Sequence, residues 1–192
     1  MPAHRSLAVD DIKGGVTPGA AANPGPLYRI PVFATFPYVR SGTPLGVAEG
    51  AIEAFTGTSS QRMTSYTTAV LGDRQAVQIR IAEASACVDA ARMMMTANCA
   101  EAQQLADAGR VPDMLSKVRY RRDGAFTVTL CARAVDVLYE AGGGSAVYLR
   151  NRLQRAFRDI HAVRAHNGFN MDTAGSAYGR VALGHAADNP TL

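Results

Sequence analysis

The sequence predicts an all-α protein, an up-down helical bundle with two very long helices that follow an extended Gly/Pro-rich N-terminal segment. Two observations predict this fold. Apolar residues recur at steps of three and four over long stretches, as on the buried face of a helix, and glycines and prolines separate those stretches. Alternating patterns typical of strands are almost absent. We therefore expect the helical bundle over residues 30–192 and loop or extended chain over residues 1–29.

The N-terminal segment has the composition of a loop. Four glycines and three prolines occur from position 14 to position 26, with only short apolar pieces among them. One strand is expected at Ser6–Val9. The first helix is predicted at Thr43–Phe55, with Pro44 in its first turn, where the missing N–H costs nothing, and with Gly57 at its end.

Three glycines lie four residues apart near this helix, at Gly42, Gly46 and Gly50. Because glycine destabilises a helix, such a row predicts the close approach of a second backbone. The Ser/Thr-rich stretch from residue 57 to residue 72 has no periodicity. A loop of that length is uncommon in a compact domain unless it binds a ligand or is disordered.

The strongest helical pattern begins at Asp73, the predicted cap, and runs to about Gly109, a length of roughly 50 Å at 1.5 Å per residue. Only Asn98 interrupts its apolar seam. The seam consists of Val77, Ile81, Ala84, Val88, Ala91, Met95, Asn98, Ala102 and Leu105. Ile79 and Cys87 lie off this seam, which predicts a second packing partner and therefore an oligomer.

A second long helix is predicted from Pro112-Asp113 to the glycine run Gly142–Gly144, where successive glycines must end it. Its apolar line consists of Leu115, Val118, Ala125, Val128, Cys131, Val135 and Leu138. Two shorter helices are predicted at Asn151–His166 and Met171–Leu183.

The composition excludes several classes of protein. The chain has 192 residues, of which 47% are hydrophobic and 19% charged, as in a globular domain rather than a disordered or collagen-like chain. Three cysteines without a Cys-x-x-Cys pair argue against a disulfide scaffold and a zinc finger. No stretch has the apolar length of a signal peptide or a membrane span. These features predict a cytoplasmic protein without membrane association.

The positive charge is almost entirely arginine, since the chain has only two lysines and a net charge of +4. Arginines around positions 119–122 and 152–158 could contact phosphate, or they could form a solvated face with carboxylate partners such as Asp159. No recognition motif or interleaved aromatic residue supports nucleic-acid binding, which is not expected. No metal site is expected either, because His161 and His166 lie about 140° apart around one helix.

The glycine run is the most specific local motif. It frees backbone N–H groups and precedes another helix, whose N-terminal end favours anions. The structural alternative is a tight turn between two helices, although a turn alone requires one glycine rather than three. The residues by themselves leave both interpretations open.

The order of these pieces resembles a known family. A long helix that reads DRQAVQIRIAEASACVDAARMMM precedes a second helix and then the segment LYEAGGGSAVYLRNRLQRAFRDIHAVRAH. This order resembles the C-terminal helical domain of the acyl-CoA dehydrogenase fold. It is more closely similar to the flavin-dependent monooxygenases built on that fold, the oxygenase components of two-component aromatic hydroxylases of the p-hydroxyphenylacetate and pigment-pathway type. The resemblance covers about residues 2–183, and VDAAR, the glycine run and RDIHAVRAH are its most specific parts.

The resemblance implies that the chain is a C-terminal half. Such proteins are longer, with an N-terminal helical domain and a middle β-domain that holds one face of the flavin ring. Residues 1–29 would then be the end of that β-domain with its linker, and residues 30–192 the helical domain. Without the β-domain, the chain is expected to be inactive by itself and to bind flavin weakly.

The resemblance also implies residues that bind the cofactor. The residues that match the flavin-contacting segment are Gly143, Gly144 and Ser145. Arg74 and Gln75 lie where the long helix reaches the cofactor of a neighbouring subunit in this fold. Arg62 is a weaker candidate, because the sequence lacks the Arg-x-x-Phe-Gly pattern of the dehydrogenases in this loop.

His166 matches the active-site histidine of the monooxygenases and is the predicted catalytic residue, with His161 expected to matter less. It would hydrogen-bond a phenol and accept its proton. Acyl-CoA dehydrogenases need a carboxylate base, but this chain has no glutamate after Glu140 and only Asp172 in the stretch NMDTAG. The resemblance therefore favours hydroxylation over dehydrogenation.

The implied activity is the hydroxylation of a small phenol-like aromatic with dioxygen. The implied cofactor is reduced FMN from a separate flavin reductase, with FAD as the alternative. The implied assembly is a homodimer or homotetramer. Two other functions stay open at this point: the C-terminal domain of an acyl-CoA dehydrogenase-type FAD enzyme, and a helical interaction module without catalysis.

Overall fold

The computed structural model describes residues 5–15, 17–64, 68–189 and 191–192. Within these ranges its α-helices are α1 (Val9–Gly14), α2 (Pro18–Ala22), α3 (Val32–Ser59), α4 (Gln75–Asp107), α5 (Met114–Gly142), α6 (Arg152–Arg164) and α7 (Met171–Ala182). The one strand-like pairing in the described ranges is an isolated antiparallel bridge between Met63 and Val70. The predicted all-α class is confirmed, with three long helices in place of two.

The N-terminal segment forms short helices where a strand was expected. Residues 6–8 are irregular and α1 begins at Val9, so the predicted strand Ser6–Val9 is wrong. α2 begins at Pro18, and the Thr17 hydroxyl accepts a hydrogen bond from the Ala20 N–H at 3.1 Å. A hydroxyl cap followed by proline starts a helix locally, despite the surrounding glycines.

The helix α3 begins eleven residues before the predicted Thr43, since it starts at Val32. It contains Pro37 and Pro44, although an interior proline costs a helix about 3 kcal/mol. Tertiary contacts offset that cost. The buried Tyr38 donates its hydroxyl proton to the Tyr120 carbonyl at 3.0 Å, which holds this part of α3 in place.

The C-terminal end of α3 passes the predicted stop. Gly57 lies inside the helix, which ends at Ser59. The hydroxyls of Thr56 and Thr58 donate to carbonyls one turn earlier, at 2.6 and 2.8 Å, and supplement the backbone bonding of the last turn.

No second backbone packs closely against the three glycines of α3 in the described structure. A Cβ placed on Gly42, Gly46 or Gly50 would have no atom of the described structure within 4 Å. The expectation of a close backbone approach is therefore wrong for the chain by itself.

The helix α4 begins two residues later than predicted. Leu71–Asp73 form a 3-10 turn, so Asp73 lies in that turn and does not cap the helix. The predicted seam is confirmed, because each of its residues is buried or half-buried, and Asn98 is only 3% exposed.

The helix α5 follows the prediction closely. The Asp113 carboxylate accepts a hydrogen bond from the Ser116 N–H at 2.8 Å and so caps the helix. Its predicted apolar line is buried except for Leu115, which is exposed. α6 and α7 also lie where the sequence predicts them, each preceded by an asparagine cap, Asn151 and Asn170.

The chain divides into two compact units. Unit 1 consists of residues 1–40, 94–125 and 170–192, and unit 2 of residues 41–93 and 126–169. In unit 2, Arg133 pairs with Glu83 at 2.6 Å and joins α5 to α4. Tyr139 of α5 stacks on Phe157 of α6 with ring centroids 4.3 Å apart.

Unit 1 contains a polar network centred on Asn98. Its Nδ2 donates to the Tyr38 hydroxyl at 2.6 Å and to the Asp123 carboxylate at 2.8 Å. Its Oδ1 accepts from Arg119 at 2.9 Å. The single polar residue of the α4 seam is therefore hydrogen-bonded at both ends of its amide, as buried polar groups must be.

Candidate functional site

The glycine run ends α5 and opens a 3-10 turn over Gly143–Val147. Gly143 has φ of +60°, a left-handed conformation that side chains other than glycine rarely adopt. A Cβ on Gly142 would approach Ala146 and Leu153 to 3.1 Å, so that position must stay small. Gly144 has neither constraint, because a Cβ there would meet no described atom within 4 Å. The turn therefore explains two of the three glycines and leaves Gly144 unexplained.

The long Ser/Thr-rich loop presents Arg62 to this run. The bridge between Met63 and Val70 closes the loop on itself, and the Leu71 N–H donates to the Arg62 carbonyl at 2.8 Å. The Arg62 guanidinium donates to the Ser145 hydroxyl at 2.7 Å and to the Gly142 carbonyl at 3.1 Å. The weaker sequence candidate is thus bonded directly to the predicted flavin-contacting segment. Residues 65–67 of the loop lie outside the described residues.

An open cleft of about 730 Å³ lies beside this contact, entirely within unit 2. Its volume is in the range of ligand sites, about 300–1,000 Å³. The ionisable and aromatic side chains along it are Glu53, Arg62, Tyr148, Arg150 and Arg152, and Ser145 also lines it. Three arginines against one glutamate make the cleft electropositive. Such a site favours phosphate or carboxylate, which arginine binds through paired N–H groups.

Arg74 and Gln75 lie at the start of α4. Arg74 immediately precedes α4 and its carbonyl accepts from the Val77 N–H at 2.9 Å, while Gln75 is the first residue of the helix. Both are exposed, and neither lines the cleft. Of the predicted cofactor-binding residues, Ser145 lines the cleft, whereas Arg74, Gln75, Gly143 and Gly144 do not.

His166 also lies outside the cleft, in the turn after α6, where it is exposed. Its Nδ1 accepts a hydrogen bond from the Gly168 N–H at 3.0 Å, and its ring centroid is 5.8 Å from that of Phe169. Because Nδ1 is the acceptor, the neutral imidazole carries its proton on Nε2. His166 is therefore oriented as a donor through Nε2.

His161 has a partner within unit 2. Its Nε2 is 2.8 Å from the Asp136 carboxylate of α5, and its ring lies 4.5 Å from that of Phe157. The polar contact joins α6 to α5, whereas the ring contact lies within α6. A role in packing accounts for His161.

Sequence reasoning selected Arg152 only as one of several arginines that could contact phosphate, and it missed Glu53, Tyr148 and Arg150 of the cleft. Glu53 belongs to α3, while Tyr148, Arg150 and Arg152 follow the glycine run within eight residues. The available signal was the segment VYLRNR, in which three apolar residues precede two arginines directly after a candidate anion-binding turn. The position of Glu53 depends on packing between distant segments and had no local signal.

Among the described residues, no group of three or more His, Cys, Asp or Glu side chains is placed to hold a metal ion. No helix in the described ranges has the length and apolarity to cross a membrane.

Residues 38–171 match the model of the acyl-CoA dehydrogenase C-terminal domain. The chain belongs to that family. The chain is 35% identical over 194 residues to the oxygenase component of the FADH2-dependent resorcinol hydroxylase of Rhizobium sp. (strain MTP-10005). The alignment covers 96% of this chain and 47% of the hydroxylase. It is 30% identical to the oxygenase component of the p-hydroxyphenylacetate 3-hydroxylase of Acinetobacter baumannii, covering 100% of this chain and 46% of that protein.

A solved structure of a hydroxylase has the same fold. The domain superposes on the 3-HSA hydroxylase of Rhodococcus sp. RHA1 with a TM-score of 0.92 at 28% identity, covering 100% of this chain and 50% of that one. The chain spans about half the length of the curated relatives it matches. The resemblance to the C-terminal half of such proteins is confirmed, while the assignment of residues 1–29 to the end of a preceding domain stays a prediction.

Proposed function

We propose that the chain is the helical, flavin-contacting half of a reduced-flavin-dependent monooxygenase that hydroxylates a phenol-like aromatic with dioxygen. The arginine cleft at the glycine run carries this proposal, in a chain whose relatives are named as oxygenase components of aromatic hydroxylases. Bound reduced flavin would supply the electrons that activate dioxygen. The residues of this chain would bind the flavin side chain, orient the substrate and hold protons.

The cleft has donors that fit a phosphorylated flavin. Arg62 is preorganised by its bonds to Ser145 and Gly142, and a guanidinium so held loses little freedom when it binds a phosphate. Open space at Gly144 would admit a ligand close to the backbone. Arg74 and Gln75, exposed at the start of α4, would contact the flavin of a neighbouring subunit.

His166 would act on the substrate through Nε2. The Gly168 N–H occupies Nδ1, so the neutral ring donates from Nε2 rather than accepting there. A donor at this position stabilises the phenolate form of the substrate, in which the ring carbon is more electron-rich. This geometry favours binding of the phenolate over direct removal of the phenol proton by Nε2.

The relatives are oxygenase components, which supports a separate flavin reductase as the source of reduced flavin. An acyl-CoA dehydrogenase would need a carboxylate base, and the absence of any glutamate after Glu140 favours the hydroxylase. We also propose a homo-oligomer, because Ile79 on α4 is 53% exposed although it is a large apolar residue. Light scattering that gave a monomer at about 10–50 μM, where stable interfaces are saturated, would contradict the oligomer.

The test joins this chain to the N-terminal half of the resorcinol hydroxylase relative and measures resorcinol hydroxylation with reduced flavin. The His166→Ala variant should fold and still oxidise reduced flavin with dioxygen. Its hydroxylation should fall by about 10²-fold or more, the usual loss when one positioned hydrogen-bond donor is removed from an active site, with hydrogen peroxide released instead. The His161→Ala control should lose stability rather than coupling. Equal coupling of dioxygen use to product in wild type and His166→Ala would remove His166 from the site.

A further inference from the structure

Two cysteines of unit 2, Cys87 on α4 and Cys131 on α5, lie outside the cleft at the glycine run. The ion pair between Arg133 and Glu83 joins the two helices at one level. Cys87 follows Glu83 by one helical turn, and Cys131 precedes Arg133 by two residues. The short segment 108–113 connects the helices, as between antiparallel neighbours, so a step forward on α4 matches a step back on α5. This register brings the two thiols to the same level of the α4–α5 contact.

The electrostatics of the two thiols agree with this register. Burial is the largest cause that raises the pKa of the Cys131 thiol, and the charge of Cys87 is the next. Burial also raises the pKa of Cys87, followed by the charge of Glu83, while Arg133 lowers it. Because the effect of a charge falls with distance, Cys87 lies near both Cys131 and the ion pair.

Small side chains beside the two cysteines allow the helices to pack closely. Ala84 and Ala91, about one turn before and after Cys87, are fully buried, as is Ala132 next to Cys131. Packed helices approach to about 8 Å between their axes, and each Cα lies about 2.3 Å from its axis. Facing Cα atoms can therefore come within the separation of about 4.4–6.8 Å that a disulfide spans.

We infer that hydrogen peroxide oxidises Cys87 and Cys131 to a disulfide that joins α4 to α5. Cys87 is half-buried and Cys131 fully buried, so peroxide reaches the Cys87 sulfur first. That sulfur attacks one oxygen of peroxide and the O–O bond breaks. The hydroxide that leaves takes the Cys87 proton, which gives one water and a sulfenic acid.

The second step closes the disulfide. The Cys131 sulfur attacks the Cys87 sulfur, the S–O bond breaks, and the departing hydroxide takes the Cys131 proton as a second water. The two thiols together lose two electrons, which peroxide accepts. Because the two sulfur atoms belong to one packed pair of helices, this step has the advantage of an intramolecular reaction over attack by a thiol of another molecule.

The proposed monooxygenase itself releases the oxidant when dioxygen use is uncoupled from hydroxylation. The inference does not depend on that activity, because added peroxide tests it directly. Burial and Glu83 keep the Cys87 thiol protonated, and only the thiolate is a good nucleophile. We therefore expect the disulfide to accumulate under sustained exposure to peroxide rather than after a brief pulse.

The test treats the 192-residue chain with hydrogen peroxide at about pH 8.5, near the pKa of a free thiol, and analyses its peptides by mass spectrometry without reduction. The peptides that contain Cys87 and Cys131 should be linked, with a mass lower by two hydrogens, and dithiothreitol should separate them. The urea midpoint should rise as the link forms and fall after reduction, because a cross-link constrains the unfolded chain.

Variants assign the link to these two thiols. Cys99→Ser is the matched control, because Cys99 is an exposed cysteine of the same helix, and it should leave the link unchanged. Cys87→Ser and Cys131→Ala should each abolish the link. In Cys131→Ala, dimedone should trap more sulfenic acid at Cys87 than in the wild type, because the thiol that removes it is gone.

Three results would overturn the inference. The first is that Cys87 and Cys131 stay reduced, or that Cys87 oxidises to a sulfinic acid without a link. The second is a link that joins only Cys99 of two chains. The third is a link between Cys87 and Cys131 that forms only in the urea-unfolded chain. None of these results bears on the proposed flavin site, which the coupling of the His166→Ala variant tests separately.

Discussion

Replacement of Asn98 by leucine should destabilise the protein, although it would complete the apolar seam of α4. The variant loses one hydrogen bond to the neutral Tyr38 hydroxyl and two to the charged groups of Asp123 and Arg119. A neutral bond contributes about 1 kcal/mol to stability and a bond to a charged group about 1.5–3 kcal/mol. The gross loss is therefore about 4–7 kcal/mol.

The net loss should be smaller, because the partners keep other bonds. Asp123 still accepts from Arg122 at 2.8 Å, and Arg119 still donates twice to Glu101 at 2.6 and 2.7 Å. Burial of the leucine side chain also returns about 1.5–3 kcal/mol. We therefore expect the free energy of unfolding to fall by about 2–4 kcal/mol, mainly because the nearly buried Asp123 carboxylate loses a donor.

Urea unfolding followed by circular dichroism at 222 nm, with tyrosine fluorescence as a second probe, measures this change. The matched control is Tyr38→Phe, which removes one hydroxyl and should cost about 1–2 kcal/mol. The double variant Asn98→Leu/Asp123→Asn should cost less than the sum of its two single variants, because it removes the carboxylate that needs the amide. An Asn98→Leu variant as stable as wild type would show that the network does not stabilise the fold.

Three further predictions concern single residues. Gly143→Ala should lower the free energy of unfolding by about 1–2 kcal/mol, because the left-handed φ of Gly143 disfavours a Cβ. Gly144→Ala should change thermal unfolding little, because a Cβ there has open space. Equal effects of the two substitutions on thermal unfolding would contradict this prediction. Burial, followed by the charge of Glu101, raises the pKa of Tyr120 to about 12. The unfolded chain releases this proton near pH 10 and the folded chain retains it, so urea titrations should show stability falling from about pH 10 to about pH 12, and a flat profile would refute the shift. Burial raises the pKa of the Cys131 thiol to about 12. Mass spectrometry should therefore find maleimide on the exposed Cys99 at pH 8, and on Cys131 only after unfolding. Rapid labelling of Cys131 in the native protein would contradict this prediction.

Helix type and helix faces could be predicted from the sequence because they depend on neighbours a few residues apart. The seam around Asn98, the cap at Asp113 and the stop at Gly143 all follow from spacing, side-chain chemistry and backbone conformation within one or two turns. Predicted helix boundaries were wrong where a contact between residues distant in the sequence outweighed a local sequence rule. α3 continues through Pro37 because the Tyr38 hydroxyl bonds to a carbonyl 82 residues away.

Less of the candidate site than of the helices could be predicted from the sequence, because the site depends on tertiary structure. The glycine run and Ser145 could be selected from the sequence, and His166 from the resemblance, but no spacing connects Arg62 to Ser145, which lies 83 residues further along the chain. The cleft that joins Glu53 to Arg150 likewise exists only once α3 and the segment after α5 are packed together in unit 2. The sequence alone determined which segments are helical and which faces they bury, because short-range sterics and apolar periodicity decide both. Only the tertiary structure decided which charges meet, because long-range packing brings together groups that the chain keeps apart.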